Sequence, residues 1–246
     1  MNPVKSDSTS DPRTRVRRGA ATGIAIGLFL AGLSVVVAVF ASSELRVLLF
    51  FTSHRSRWSV DSAKTVTVVG DASVLLVLGV IGAIALWRWK HRLVLALSPL
   101  ASLLVAGLVT KIGKAVIGRS RPPLALHLDL VAEGGNSTPS GHATDSTALF
   151  VALALVVVML AWRQPIVTRV VSAFAVLLSI GIGLSRVEIG VHWPLDVVLG
   201  WILGLGIAVV TVEVGAAVDH RLPDRRPFGR EVLSDVPSVE RTSIRR

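Results

Sequence analysis

Apolar residues in this chain fall in long runs, unlike the short alternating stretches of a soluble core. A helix needs roughly 20 apolar residues to cross a bilayer. Six runs meet that length, at about Gly19–Ser42, Val66–Trp87, Leu93–Ile112, Thr144–Trp162, Ile166–Leu184 and Leu195–Val218. The pattern predicts an all-α integral membrane protein, a bundle of six transmembrane helices over residues 19–218. Basic, polar tails at 1–18 and 219–246 are expected to be disordered and cytoplasmic. The first run resembles a signal peptide at Val39 and Ala41, but it is too long for an ordinary cleaved h-region of about 7–15 residues, so it is read as an uncleaved anchor. Asp71 lies near the start of the second run, which suggests an interfacial or bundle-facing position. Between the first two runs, Glu44–Trp58 mixes Leu45, Leu48, Leu49, Phe50 and Phe51 with His54, Arg55 and Arg57. This suits either a helix lying on the outer leaflet or an ordinary loop.

Composition agrees with a membrane class. Of the 246 residues, 52% are hydrophobic and 17% charged, too few charges to cover a soluble domain of this size. The net charge of +10 would otherwise point to nucleic acid, but no soluble stretch is long enough to carry such a domain, so no nucleic-acid partner is expected. The absence of cysteine excludes disulfide and thiolate chemistry. With the N-terminus inside, the cytoplasmic segments hold 17 of the 26 Lys and Arg residues and the outer ones 9. The positive-inside rule therefore puts both termini in the cytoplasm.

Three polar patches then share the outer ends of the spans. They are Lys114 to Pro122 (KAVIGRSRP), Pro139 to His142 (PSGH) and Ser185 to Asp196 (SRVEIGVHWPLD). Lys114, Arg121 and Arg186 are cations close to membrane depth with only Glu188 and Asp196 to offset them, so an anion is the natural partner, and a phosphate has oxygens enough for all three. Ser140 and Gly141 precede a helix start, where backbone amides and the dipole favour an anion. Asp196 follows His192 by four residues, one helical turn, as an orienting carboxylate follows a base or nucleophile. His142 is then available to protonate a leaving oxygen. Each patch alone has a plain alternative: interfacial anchors for the cations, a helix cap for Ser140, an aromatic-belt anchor for His192 beside Trp193. Their combination at these spacings is what carries the chemical reading.

These residues resemble the three-part signature of the type 2 phosphatidic acid phosphatase family, membrane lipid phosphatases related to vanadium haloperoxidases. The family pattern is Lys, six residues, Arg-Pro; Pro-Ser-Gly-His; and Ser-Arg, five residues, His, three residues, Asp. Every fixed position is present between Lys114 and Asp196. The resemblance implies that Lys114, Arg121, Arg186 and the backbone amides of Ser140 and Gly141 hold phosphate. It implies that His192 is a nucleophile forming a phosphohistidine, that Asp196 orients it, and that His142 is general acid and then base. It implies no metal and no cofactor. Arg119, Ser120 and Asp145 are near enough to help; Asp145 suits a helix N-terminus and His127 an ordinary loop position, and Asn136-Ser137-Thr138 is a common chance match to a glycosylation triplet.

The expected activity is hydrolysis of a lipid phosphate monoester or diphosphate at the outer face of the cell membrane. Polyprenyl diphosphate, phosphatidic acid and phosphatidylglycerol phosphate are the candidate substrates. A lipid phosphotransferase and a non-catalytic lipid-binding or transport protein of the same fold are the alternatives; the sequence carries no signal for oligomeric state. The topology makes a direct prediction. A reporter fused after Arg246 should read as cytoplasmic and one inserted between Leu124 and Gly134 as extracytoplasmic. Both reporters on one side would refute the six-span arrangement.

Overall fold

The computed structural model describes residues 43–128 and 134–219. The expected first span, the possible cleavage site near Val39 and both tails lie outside these residues, except Asp219, which ends the last helix and not the tail. Seven α-helices follow in order: α1 Glu44–Ser53, α2 Arg57–Val69, α3 Ala72–Lys90, α4 Leu93–Ile117, α5 Gly141–Leu160, α6 Pro165–Glu188 and α7 Pro194–Asp219. Among the described residues, α3 to α7 are the five long and apolar enough to cross a membrane. They run from 19 to 26 residues, roughly 28 to 39 Å at about 1.5 Å per residue.

Local chemistry sets where the helices end. Ser56 and Ser59 form a reciprocal capping box that starts α2. Gly118, at φ 63°, closes α4 in the left-handed conformation, and its amide reaches the Lys114 carbonyl. Pro165 opens α6 in its first turn, where a missing amide proton costs nothing.

Two boundaries differ from the hydropathy reading. The predicted second span, Val66–Trp87, is interrupted at Gly70–Asp71, so residues 66–69 finish α2 and the long apolar helix begins at Ala72. An apolar run on both sides of the break hides it from a window average. The third span continues five residues beyond Ile112, which puts Lys114 in the last turn of α4 and not in a loop. The segment predicted as an interfacial helix or loop over Glu44–Trp58 is helical to Ser53, breaks at residues 54–56, and gives Trp58 to α2.

Helix α5 is the centre of the bundle and packs against α3, α4, α6 and α7. Its closest partner is α7, whose buried face repeats small residues every fourth position at Gly200, Gly204 and Ala208, then Val212 and Ala216. In lipid no hydrophobic drive separates helix from solvent, so such small-residue faces hold helices together by close van der Waals contact. A Cβ on Gly204 would lie 2.5 Å from the Thr144 carbonyl oxygen and 2.8 Å from Thr147 Cβ. Below this seam Ala152, Val156, Ala208 and Val212 pack with Leu86, Leu95 and Ala96. A second cluster joins Leu75, Leu103, Leu149 and Ile182 across α3 to α6.

Gly204→Val should therefore destabilise the folded protein by about 1–3 kcal/mol through overpacking. Gly206→Val is the control, because no described residue lies within 4 Å of its added Cβ. Thermal unfolding in detergent should show a lowered midpoint for the first variant alone. Equal shifts would mean that helix α7 does not depend on this contact.

Candidate active site

The end of the bundle that joins α4 to α5 and α6 to α7 is closed by hydrogen bonds between the three sequence patches. The Ser137 amide donates to the Arg119 carbonyl at 2.8 Å, and the Ser140 amide to the Asp196 carbonyl at 3.0 Å. Arg121 Nη1 donates to the Val191 carbonyl at 2.9 Å, and Trp193 Nε1 to the Ser120 carbonyl at 2.9 Å. Asn136 Nδ2 donates to the Lys114 carbonyl at 2.7 Å, tying the end of α4 to the same loop. The third patch is thus bonded to both others, and Asn136 and Ser137, just ahead of the second patch, tie that loop to the first.

His192 sits at the centre, in the short connection before α7, 1% exposed. Its Nδ1 faces Asp196 Oδ2 at 3.4 Å, and its Nε2 lies 3.4 Å from Arg121 Nη1. Asp196 is fully buried at the start of α7. Its carboxylate accepts hydrogen bonds from the Ser137 and Thr138 hydroxyls, from the Trp193 amide at 2.9 Å, and from Arg119 Nη1 at 3.3 Å. Arg119 also pairs with Glu44 and stacks on Trp193 at 5.2 Å, so it links α1 to the site. Burial pushes the His192 imidazole below its ordinary value; the Asp196 hydrogen bond and charge oppose that, while Arg186 and Arg121 add to it. The net direction is toward the neutral ring.

Arg186, 2% exposed in the last turn of α6, donates to Thr67 Oγ1 at 2.8 Å. The carbonyl end of the same helix is held by Arg55, whose Nε and Nη2 donate to the Glu188 carbonyl at 2.9 and 2.6 Å. Lys114 lies on α4, and its charge acts on Asp145 of α5. Helix α5 begins at Gly141 with Ser140 as N-cap residue. The Ser140 amide is committed to Asp196, which departs from the expectation that it serves an anion. Its hydroxyl oxygen is buried and has no hydrogen-bond partner among the described residues. His142 is partly buried, with Nε2 2.9 Å from Asp71 Oδ1.

The structure brings Arg121, Arg186, His192 and Asp196 into one electrostatic cluster, with Ser140 and Gly141 at the adjoining helix start. Sequence reasoning missed Ser137, Thr138 and Thr67, since hydroxyls in loops and helices carry no spacing signal. The Asn136 triplet, set aside as a chance match, supplies two of the donors to Asp196. His127, taken as a loop residue, bonds the Pro122 carbonyl at 3.0 Å. No group of three or more His, Asp or Glu side chains suited to a metal ion occurs among the described residues.

Comparison with known proteins relates the chain to phosphatases. Residues 95–218 match the PAP2 superfamily. An undecaprenyl-diphosphatase from Sulfolobus acidocaldarius is 29% identical over 129 residues, which cover 51% of this chain and 58% of that protein. Phosphatidylglycerophosphatase B from Bacillus subtilis is 32% identical over 158 residues, 61% of this chain and 72% of that protein. The crystal structure of a transmembrane PAP2-type phosphatidylglycerolphosphate phosphatase from Bacillus subtilis superposes with a TM-score of 0.66 at 25% identity, covering 82% of this chain and 98% of that one.

The depressed proton affinity of His192 has a consequence for stability. The unfolded chain takes up a proton near pH ~6.5, whereas the folded state resists it until lower pH. The stability tied to His192 is complete above that value and is lost as pH falls from there through the folded value. A histidine 15N NMR titration in detergent should show His192 taking up its proton at lower pH in the folded protein than in the unfolded chain. A folded His192 ring that protonates at the same pH as in the unfolded chain, or higher, would contradict this account of its burial.

Proposed function

The chain belongs to the PAP2 superfamily, and from that premise we propose that it is a lipid phosphatase acting through a phosphohistidine. The observation that carries the reading is the buried His192, with one ring nitrogen toward Asp196 and the other beside Arg121. On this reading Nε2 attacks phosphorus, the nitrogen–phosphorus bond forms and the bond to the lipid oxygen breaks. His142 gives that oxygen its proton. Water then attacks the phosphohistidine while His142 takes the water's proton, and inorganic phosphate leaves. Asp196 holds His192 in orientation and stabilises the imidazolium character that develops.

Lys114, Arg121 and Arg186 offset the charge of the transferring phosphoryl group. The Ser140 hydroxyl, buried with no partner among the described residues, and the Gly141 amide at the start of α5 complete the cradle. The substrate class follows from setting: a lipid phosphate monoester or diphosphate, drawn from the bilayer. A polyprenyl diphosphate is the first choice because an extracytoplasmic site suits recycling of such a carrier. The names of the two curated relatives, an undecaprenyl-diphosphatase and a phosphatidylglycerophosphatase, fit that class. A six-span domain over 19–218 with cytoplasmic tails at 1–18 and 219–246 completes the proposal.

One assay tests both the mechanism and its independence of metal. Purified protein in detergent with EDTA should release phosphate from a panel of lipid phosphates. Neutral quenching with labelled substrate should trap an alkali-stable phosphohistidine. His192→Ala should form none, and His142→Ala should lose roughly 100- to 10,000-fold in rate on a lipid substrate. Activity abolished by EDTA and restored by magnesium, or phosphoenzyme in His192→Ala, would refute the mechanism.

A further inference from the structure

We infer that Asp71, at the corner between α2 and α3, is the positioning residue of His142 and carries the orienting role for the proton donor that Asp196 carries for His192. This rests on His142 being the general acid of the proposed reaction. Three features of the corner support it. Asp71 is the N-cap residue of α3, where an aspartate ordinarily accepts from the amides of the first turn, yet its side chain makes no cap hydrogen bond. Its Oδ1 lies instead 2.9 Å from His142 Nε2, across a sequence separation of 71 residues. Gly70 allows the approach: a Cβ there would come within 2.8 Å of His142 Cδ2 and 2.6 Å of Ile182 Cγ2. The same corner supplies Thr67 to Arg186, so the break in the apolar run serves the site twice.

The chemistry is the familiar logic of a carboxylate behind an imidazole. A carboxylate at hydrogen-bond distance fixes the ring's orientation and stabilises its protonated form. With Nε2–H donated to Asp71, the proton passes from Nδ1 to the leaving lipid oxygen as the phosphorus–oxygen bond breaks. The ring is left neutral and keeps its hydrogen bond to Asp71. In the second half of the cycle Nδ1 takes a proton from the attacking water, which restores the cation.

The test compares Asp71→Asn, Asp71→Glu, His142→Ala and the Asp71→Asn/His142→Ala double variant. Each is measured on a lipid phosphate and on an aryl phosphate whose leaving group needs no protonation. Asp71→Asn keeps the shape and loses the charge, so it should lower kcat on the lipid about 10-fold or more, short of the His142→Ala loss of roughly 100- to 10,000-fold. KM should change little, Asp71→Glu should recover part of the rate, and the aryl phosphate should largely hide the defect. The double variant should be no slower than His142→Ala alone, because the two residues act as a unit. A His142→Ala enzyme indifferent to leaving group overturns both the general-acid role and this inference. A leaving-group-sensitive His142→Ala with an additive double variant, or with an Asp71→Asn loss equal on both substrates, overturns this inference alone.

Discussion

A guanidinium cannot give up its charge, and Arg186 is almost wholly buried at the end of an apolar helix. That constraint shapes the surroundings. Burial of an ion costs several kcal/mol unless dipoles and counter-charges replace water. The bundle supplies them by helix direction. Lys114 and Arg186 both stand in the last turns of their helices, α4 and α6, where the dipole's negative end favours a cation. Gly141 and Asp196 stand in the first turns of α5 and α7, where amides point outward and negative charge is favoured. Two hairpin-like connections at one end of the bundle therefore sort the charges before any side chain is placed.

Keeping those four ends together is a packing problem. The Ser140 amide reaches the Asp196 carbonyl only because α5 and α7 run close, and they run close because Gly200 and Gly204 present no side chain to Ala143 and Thr144. The small-residue face is thus a structural requirement of the site as much as of the bundle. Arg55 performs a comparable service at α6, satisfying the carbonyl end of the helix that carries Arg186.

Much of this was legible in the sequence because it is local. The five apolar runs within the described residues correspond to long helices, because length and hydropathy carry that signal. His192 and Asp196 are one turn apart, and Ser140 to His142 open a helix, so their placement follows from near neighbours. Partners that arrive from elsewhere were not legible. Thr67, Asp71, Ser137 and Thr138 are ordinary residues of corners and loops until the fold brings them to Arg186, His142 and Asp196. Asp71 did stand out as a carboxylate beside an apolar run, but the signal named a cost and not a partner. The break at Gly70 explains why: the corner exists only where α2 turns from packing on α6 to the start of α3.

The two histidines end up in unlike settings, and the difference suits the roles proposed for them. His192 is 1% exposed beside a fully buried carboxylate, surrounded by cations and donors that leave no room for a bulk-water shell. A nucleophile gains from this, because a neutral nitrogen already stripped of water has less reorganisation to complete on the way to phosphorus. His142 is partly exposed, and the side chain of its partner Asp71 is 48% exposed. A group that donates a proton in one step and accepts one from water in the next must meet water between the two. On the proposed roles, a shielded attacking histidine and a proton carrier at the wet edge would each have a carboxylate of their own, Asp196 at His192 and Asp71 at His142.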